Sequence, residues 1–275
     1  MFTYVQKGWL CSTTQAMPMT EFLETGPMDS PVRLVLAHGA GGAMTSPFLE
    51  TIADLLATRG IAVTRFEFAY MAARRTGCKR RPPPRAEALV PEYRAAVEQI
   101  GAKIKDGQIL VIGGKSMGGR VASLLADELL PEGRIAGLVC LGYPFHPPRK
   151  PEQLRTEHLT RLRTPALIVQ GERDPFGNRS EVEQLSLSPS IRFHWAADGD
   201  HDLGPRGGKG FTRRGNLEAA ADAVADFVKS LGGRAQAVAG TGSGSGRRRG
   251  KSQTAAKIAP AATAKTWNRR SKPQP

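Results

Sequence analysis

Cysteine is scarce in this chain of 275 residues, which has only Cys11, Cys78 and Cys140. Their spacing fits neither a zinc-binding pattern nor a disulfide framework, and so sparse a set suits a reducing cytoplasm. Long apolar runs are missing as well. No segment approaches the roughly 18 apolar residues that a membrane-spanning helix needs, so no membrane role is expected. The opening "MFTYVQKGWLCSTTQAMPMTEF" lacks the basic start and unbroken apolar core of a secretion signal. Acidic residues disappear at the other end: from Gly233 onward there are ten Lys or Arg, no Asp or Glu, and one aromatic, Trp267. The net charge of +14 is therefore unevenly spread, with 29 basic and 25 acidic side chains in residues 1–232. The body of the chain is close to neutral.

These absences divide the chain into three parts. Residues 233–275, rich in Gly, Ala, Ser, Thr, Lys and Arg, cannot bury enough surface to offset their chain entropy and are expected to be a disordered basic tail. A flexible segment of that charge would hold nucleic acid or another polyanion by counterion release, without sequence preference. Residues 1–18 read as an unstructured extension, with Met17, Met19 and Met28 as alternative starts. Residues 19–232 remain as one folded domain.

Within that domain, apolar runs alternate with helical patterns. Strands are expected at Val32–Ala37, Ile61–Phe68, Ile109–Ile112, Ile135–Leu141, Ala166–Val169 and Ile191–Trp195. Helices are expected near Pro47–Thr58, Pro91–Lys105, Gly119–Leu130, Ser180–Leu187 and Arg213–Leu231. Such alternation predicts an α/β fold: a mostly parallel, doubly wound sheet with helices on both faces. No inserted block is large enough to form a lid. Active sites of such sheets gather at the carboxyl ends of the strands, so the chemistry should follow each strand.

The stretch "QILVIGGKSMGGRVAS" admits two chemistries. Gly114-Lys115-Ser116 looks like the end of a phosphate-binding loop, whereas Gly114 to Gly118 fits G-x-S-x-G. A phosphate loop needs a glycine where this chain has Ile109, inside a strand, so no free loop exists to wrap an anion. That reading fails. A nucleophile elbow needs almost no side chain two residues before and after the serine, and Gly114 and Gly118 meet the demand. Ser116 is thus the candidate nucleophile.

Three more signals follow strand ends. His38-Gly39-Ala40-Gly41-Gly42 could aim the Ala40 N–H at an oxyanion, with the Met117 N–H as second donor. Asp174 lies in "QGERDPFG" and His201 in "AADGDHDLG". Each alone fits a bland role: a tight loop, an Asp turn, an idle histidine. Together they give the order Ser116, Asp174, His201, and the chemistry needs all three. The hydroxyl is a weak nucleophile until an imidazole takes its proton, and the imidazole needs a carboxylate to fix its tautomer. Asp198, Asp200 and Asp202 beside His201 are competing acids.

With "HGAGG", "GGKSMGGR", "GERDPFG" and "GDHDL" in sequence, residues 19–231 resemble an α/β-hydrolase. The nearer likeness is to small lidless bacterial hydrolases, related to dienelactone hydrolases and to the hydrolase-like domain of the third non-specific-lethal (KAT8 regulatory) complex subunit. "RFEFAYMAARRTGCKRRPPPR" and "MTEFLETGP" resemble segments of that subgroup. The resemblance implies the fold and a serine triad, but no particular substrate. Dienelactone hydrolases use a cysteine nucleophile, and Ser116 departs from that.

The expected activity is acyl transfer from an ester or thioester to water, needing no metal or organic cofactor; a perhydrolase would use the same triad. The basic stretch Arg74 to Arg85, with Arg80, Arg81 and Arg85 foremost, would draw in an anionic substrate if it borders the site. The rival expectation, from another class, is a non-catalytic hydrolase-fold scaffold whose basic tail binds a partner.

Overall fold

Strands covered on both faces need apolar side chains in both directions, and the runs identified above supply them. The computed structural model describes residues 20–75, 82–208 and 210–241. In chain order the elements are β1 (Phe22–Thr25), β2 (Val32–Ala37), α1 (Pro47–Ala57), β3 (Ala62–Phe66), α2 (Ala69–Arg75), α3 (Ala86–Gly101) and β4 (Ile109–Lys115). There follow α4 (Met117–Leu129), β5 (Gly137–Leu141), a 3₁₀ turn (Glu157–Arg161), β6 (Ala166–Gly171), α5 (Arg179–Val182), β7 (Ile191–Ala196) and α6 (Arg213–Thr241). The sheet runs in the order β1-β3-β2-β4-β5-β6-β7, and every pairing is parallel except β1 with β3.

Alternation along each strand sends neighbouring side chains to opposite layers. Val35 and Ile112 join Leu89, Tyr93 and Val97 of α3 and Val121 and Leu125 of α4 in one core. Leu34, Leu36, Val111 and Val139 join Ile52 and Leu56 of α1 and Val224 and Val228 of α6 in the other. The two layers leave the carboxyl ends of the parallel strands, and the turns that follow them, at one edge.

Several features depart from the sequence expectation, among them α5, which covers only Arg179–Val182 of the helix expected near Ser180–Leu187. The short edge strand β1 closes the β3 side, too brief and too polar to stand out as a run. Helix α2 and the 3₁₀ turn fill stretches to which the sequence patterns assign no element. Helix α3 starts five residues before Pro91, because Ala86 and Leu89 are buried in the core and hold an extra turn. Helix α6 continues through Thr241, beyond the expected domain edge at 232. The Gly232-Gly233 pair looks like a stop, but the alanine-rich "RAQAVAG" behind it favours helix. The remainder of the expected tail, 242–275, and the expected extension, 1–18, lie outside the described residues. Among the described residues, no helix is long and apolar enough to cross a membrane.

Candidate active site

Ser116 stands between β4 and α4 with φ 52° and ψ −115°, the strained turn expected of a nucleophile elbow. The surrounding packing explains the glycines. A Cβ on Gly114 would stand 2.6 Å from the Ala37 carbonyl oxygen, and one on Gly118 only 2.5 Å from the same atom. Any larger residue would drive β2 and the elbow apart. The Ser116 N–H donates to the Leu141 carbonyl at 2.9 Å, which anchors the turn to β5.

Asp174 and His201 come from the turns after β6 and β7. Bare backbone brings those turns together: a Cβ on Gly171 would lie 2.2 Å from the Asp200 carbonyl oxygen. His201 Nδ1 and Asp174 Oδ2 are 2.8 Å apart, and Asp174 is fully buried. A carboxylate only accepts, so Nδ1 carries the hydrogen, and in the neutral ring this leaves the lone pair on Nε2. Asp174 is held in turn by the Phe176 N–H on Oδ1 (2.8 Å) and the Gln170 amide on Oδ2 (3.0 Å). Phe176 lies against the imidazole, with ring centroids 4.4 Å apart. The competing acids are engaged elsewhere. Asp198 pairs with Arg206 and Arg173, Asp200 accepts the N–H groups of Asp202 and Gly204, and Asp202 faces Lys115.

The loop after β2 closes the third side. A Cβ on Gly39 would lie 3.6 Å from the Ser116 Cβ, so this loop runs beside the serine. His38 is fully buried; its Nε2 accepts the Phe68 N–H at 3.2 Å and its Nδ1 donates to the Gly39 carbonyl at 2.6 Å. Burial pushes the His38 pKa down to about 4, which keeps the ring neutral. The Tyr70 hydroxyl donates to the Ala40 carbonyl at 3.0 Å. Among the described residues every peptide bond is trans, so fixing the Gly39 carbonyl turns the Ala40 N–H to the opposite side. Met117 is the first residue of α4, where a backbone N–H has no helical partner. Neither N–H donates to another protein group among the described residues.

Of the basic positions, Arg85 is exposed and precedes α3, while Arg80 and Arg81 lie outside the described residues. Four residues of the site were given no role of their own from the sequence: His38, Tyr70, Lys115 and Gln170. For the last two a signal existed. A lysine and a glutamine at the ends of otherwise apolar buried strands call for a reason, because burying a polar group without partners is costly.

Comparison with known proteins bears on this arrangement. The model of the alpha/beta hydrolase domain family matches residues 30–238. Among solved structures, the chain is similar to a lidless alpha/beta serine hydrolase from Xanthomonas campestris, at TM-score 0.56 and 19% identity over 79% of this chain and 97% of that one. It is similar to a dienelactone hydrolase from Anabaena variabilis, at TM-score 0.58 and 20% identity over 77% and 91%. A thermophilic esterase from Thermogutta terrifontis gives TM-score 0.56 and 17% identity over 80% and 97%. At such identities the likeness speaks to the fold.

Proposed function

Since this chain belongs to the alpha/beta-hydrolase family, we propose that it is a serine hydrolase that passes the acyl group of an ester or thioester to water through Ser116, His201 and Asp174. The observation that carries this reading is the part-buried Asp174–His201 hydrogen bond, formed at the same end of the sheet as a serine held at positive φ after β4. His201 Nε2 takes the hydroxyl proton as Ser116 Oγ bonds to the carbonyl carbon. The oxyanion is met by the N–H groups of Ala40 and Met117. Collapse breaks the bond to the leaving oxygen or sulfur, which receives the proton from Nε2. Water then repeats the cycle on the acyl-enzyme, giving a carboxylic acid and restoring the serine. Asp174 holds the imidazole in its tautomer and stabilises the cation it becomes.

Fluorophosphonate labelling and p-nitrophenyl acetate turnover test this directly. Ser116→Ala should abolish both while leaving the thermal transition in place, and Asp174→Asn should cost about 10⁴-fold in rate. Wild-type turnover surviving in Ser116→Ala would sink the mechanism. A wild-type chain that takes no label would point to the scaffold instead.

The basic segment between α2 and α3 supports an anionic acyl substrate, because it follows the carboxyl end of β3 and ends at the exposed Arg85. With such steering, kcat/KM for an acidic ester should fall as salt rises, while that for a neutral ester should hold. Equal salt dependence would leave the segment no role in substrate choice. The ten positive charges beyond Gly233 support a second, separate property, non-specific binding of polyanions.

A further inference from the structure

The lysine that gives the elbow its likeness to a phosphate loop takes no part in the steps above, yet it is deeply placed. Lys115 ends β4 directly before the nucleophile and is 7% exposed. Its ammonium donates to the backbone carbonyl of His201 at 2.7 Å and lies 3.2 Å from Asp202 Oδ1. The Phe48 ring of α1 covers it, with the ring centroid 5.1 Å away. The ammonium and the imidazole Cε1 both lie within 3.3 Å of the point where a Cβ on Gly142 would stand. Gly142, at φ 65°, therefore leaves room for the two to approach.

A buried ammonium is unfavourable unless its surroundings compensate it. Burial pushes the Lys115 pKa below its ordinary range, and the carboxylates of Asp202, Asp174 and Asp200 act against that shift. These groups come from the turns after β6 and β7, the same turns that carry the candidate base and its orienter. A cluster of carboxylates around an imidazole favours its protonated form, in which Nε2 cannot accept a proton. One cation among them works the other way.

Resting on the serine-hydrolase reading above, we propose that Lys115 is a positioning residue for His201. It ties the backbone of His201 to the strand that carries the nucleophile, and its charge offsets the carboxylates of Asp174, Asp200 and Asp202 around the imidazole. The tie acts on the main chain, the carboxylate of Asp174 acts on the ring, and Phe176 limits the ring's tilt. Three constraints, one from the end of β4 and two from the turn after β6, leave the imidazole little freedom.

The test compares Lys115→Met, which keeps length and loses charge, with Lys115→Arg, which keeps charge. In Lys115→Met, amide hydrogen exchange over residues 199–204 should quicken at least about tenfold. The acid limb of the kcat/KM–pH profile should move about one unit to higher pH, with kcat falling more than KM changes. Lys115→Arg should return the limb toward its wild-type position. Asp202→Asn, on an exposed side chain, should move the limb to lower pH, a reversal of sign that general loosening would not produce. It also carries the test if Lys115→Met fails to fold. Unchanged exchange in Lys115→Met overturns the tie whatever turnover shows, so a wild-type chain without esterase activity would defeat the earlier reading while exchange still decides this one. Faster exchange with an unmoved acid limb overturns the electrostatic role.

Discussion

His38 shows at the scale of one residue how the loop beside Ser116 becomes tied to pH. Its ring accepts from Phe68 with one nitrogen and donates to Gly39 with the other, so it must be neutral and in a single tautomer. The folded pKa of about 4 lies below the ordinary value of 6.5 that applies in the unfolded chain. Between those values the unfolded state holds a proton that the native state does not, so acid favours unfolding. The contribution is complete above pH 6.5 and is lost as pH falls toward 4, amounting to about 3 kcal/mol. Urea titrations at about pH 7, 5.5 and 4 should show stability declining through that window, and His38→Gln should flatten the decline. An unchanged slope in His38→Gln would assign the acid sensitivity to other groups.

At the scale of elements, α3 contains a local rule broken for a tertiary gain. Pro91 is exposed and sits sixth in the helix, where it offers no N–H to the Glu87 carbonyl. The turn before it survives because Ala86 and Leu89 are buried, and because Tyr93 clips the helix to β4: its hydroxyl donates to the Gly113 carbonyl at 2.6 Å and accepts the Gly113 N–H at 2.9 Å. Pro91→Ala should therefore raise stability by about 1–3 kcal/mol, with turnover unchanged. Chemical denaturation decides it, and a loss of stability would mean that the proline shapes the approach to the elbow.

At the scale of the whole molecule, the excess charge and the candidate site occupy different parts of the chain. The site is assembled from turns after β2, β4, β6 and β7, and the family match ends at residue 238. Helix α6 packs Leu217, Val224, Val228 and Leu231 into the core and continues through Thr241. Truncation after Thr241 should leave ester turnover intact and remove most salt-sensitive retention on heparin, since nine of the ten positive charges beyond Gly233 lie past that point. Truncation after Gly232 would show whether the last turns of α6 are needed for stability. Lost turnover in the chain cut after Thr241 would place part of the tail within the active domain.

Much of this protein was readable from residue order because the signals were local and repetitive. Buried parallel strands appear as apolar runs, so six of the seven strands and the sheet class followed from the pattern. The elbow was legible because its glycines are demanded by contacts one turn away. The antiparallel edge strand was not, since four residues with half-exposed faces carry little periodic signal. The order Ser116, Asp174, His201 nominated the candidate triad, but four aspartates were available to the histidine. Only the tertiary structure separated them, by burying Asp174 against Gln170 and the Phe176 N–H while arginines, turn amides and Lys115 engaged the other three. The job of Lys115 was likewise invisible in sequence, because the carbonyl it holds is 86 residues away and is brought near by strand order alone.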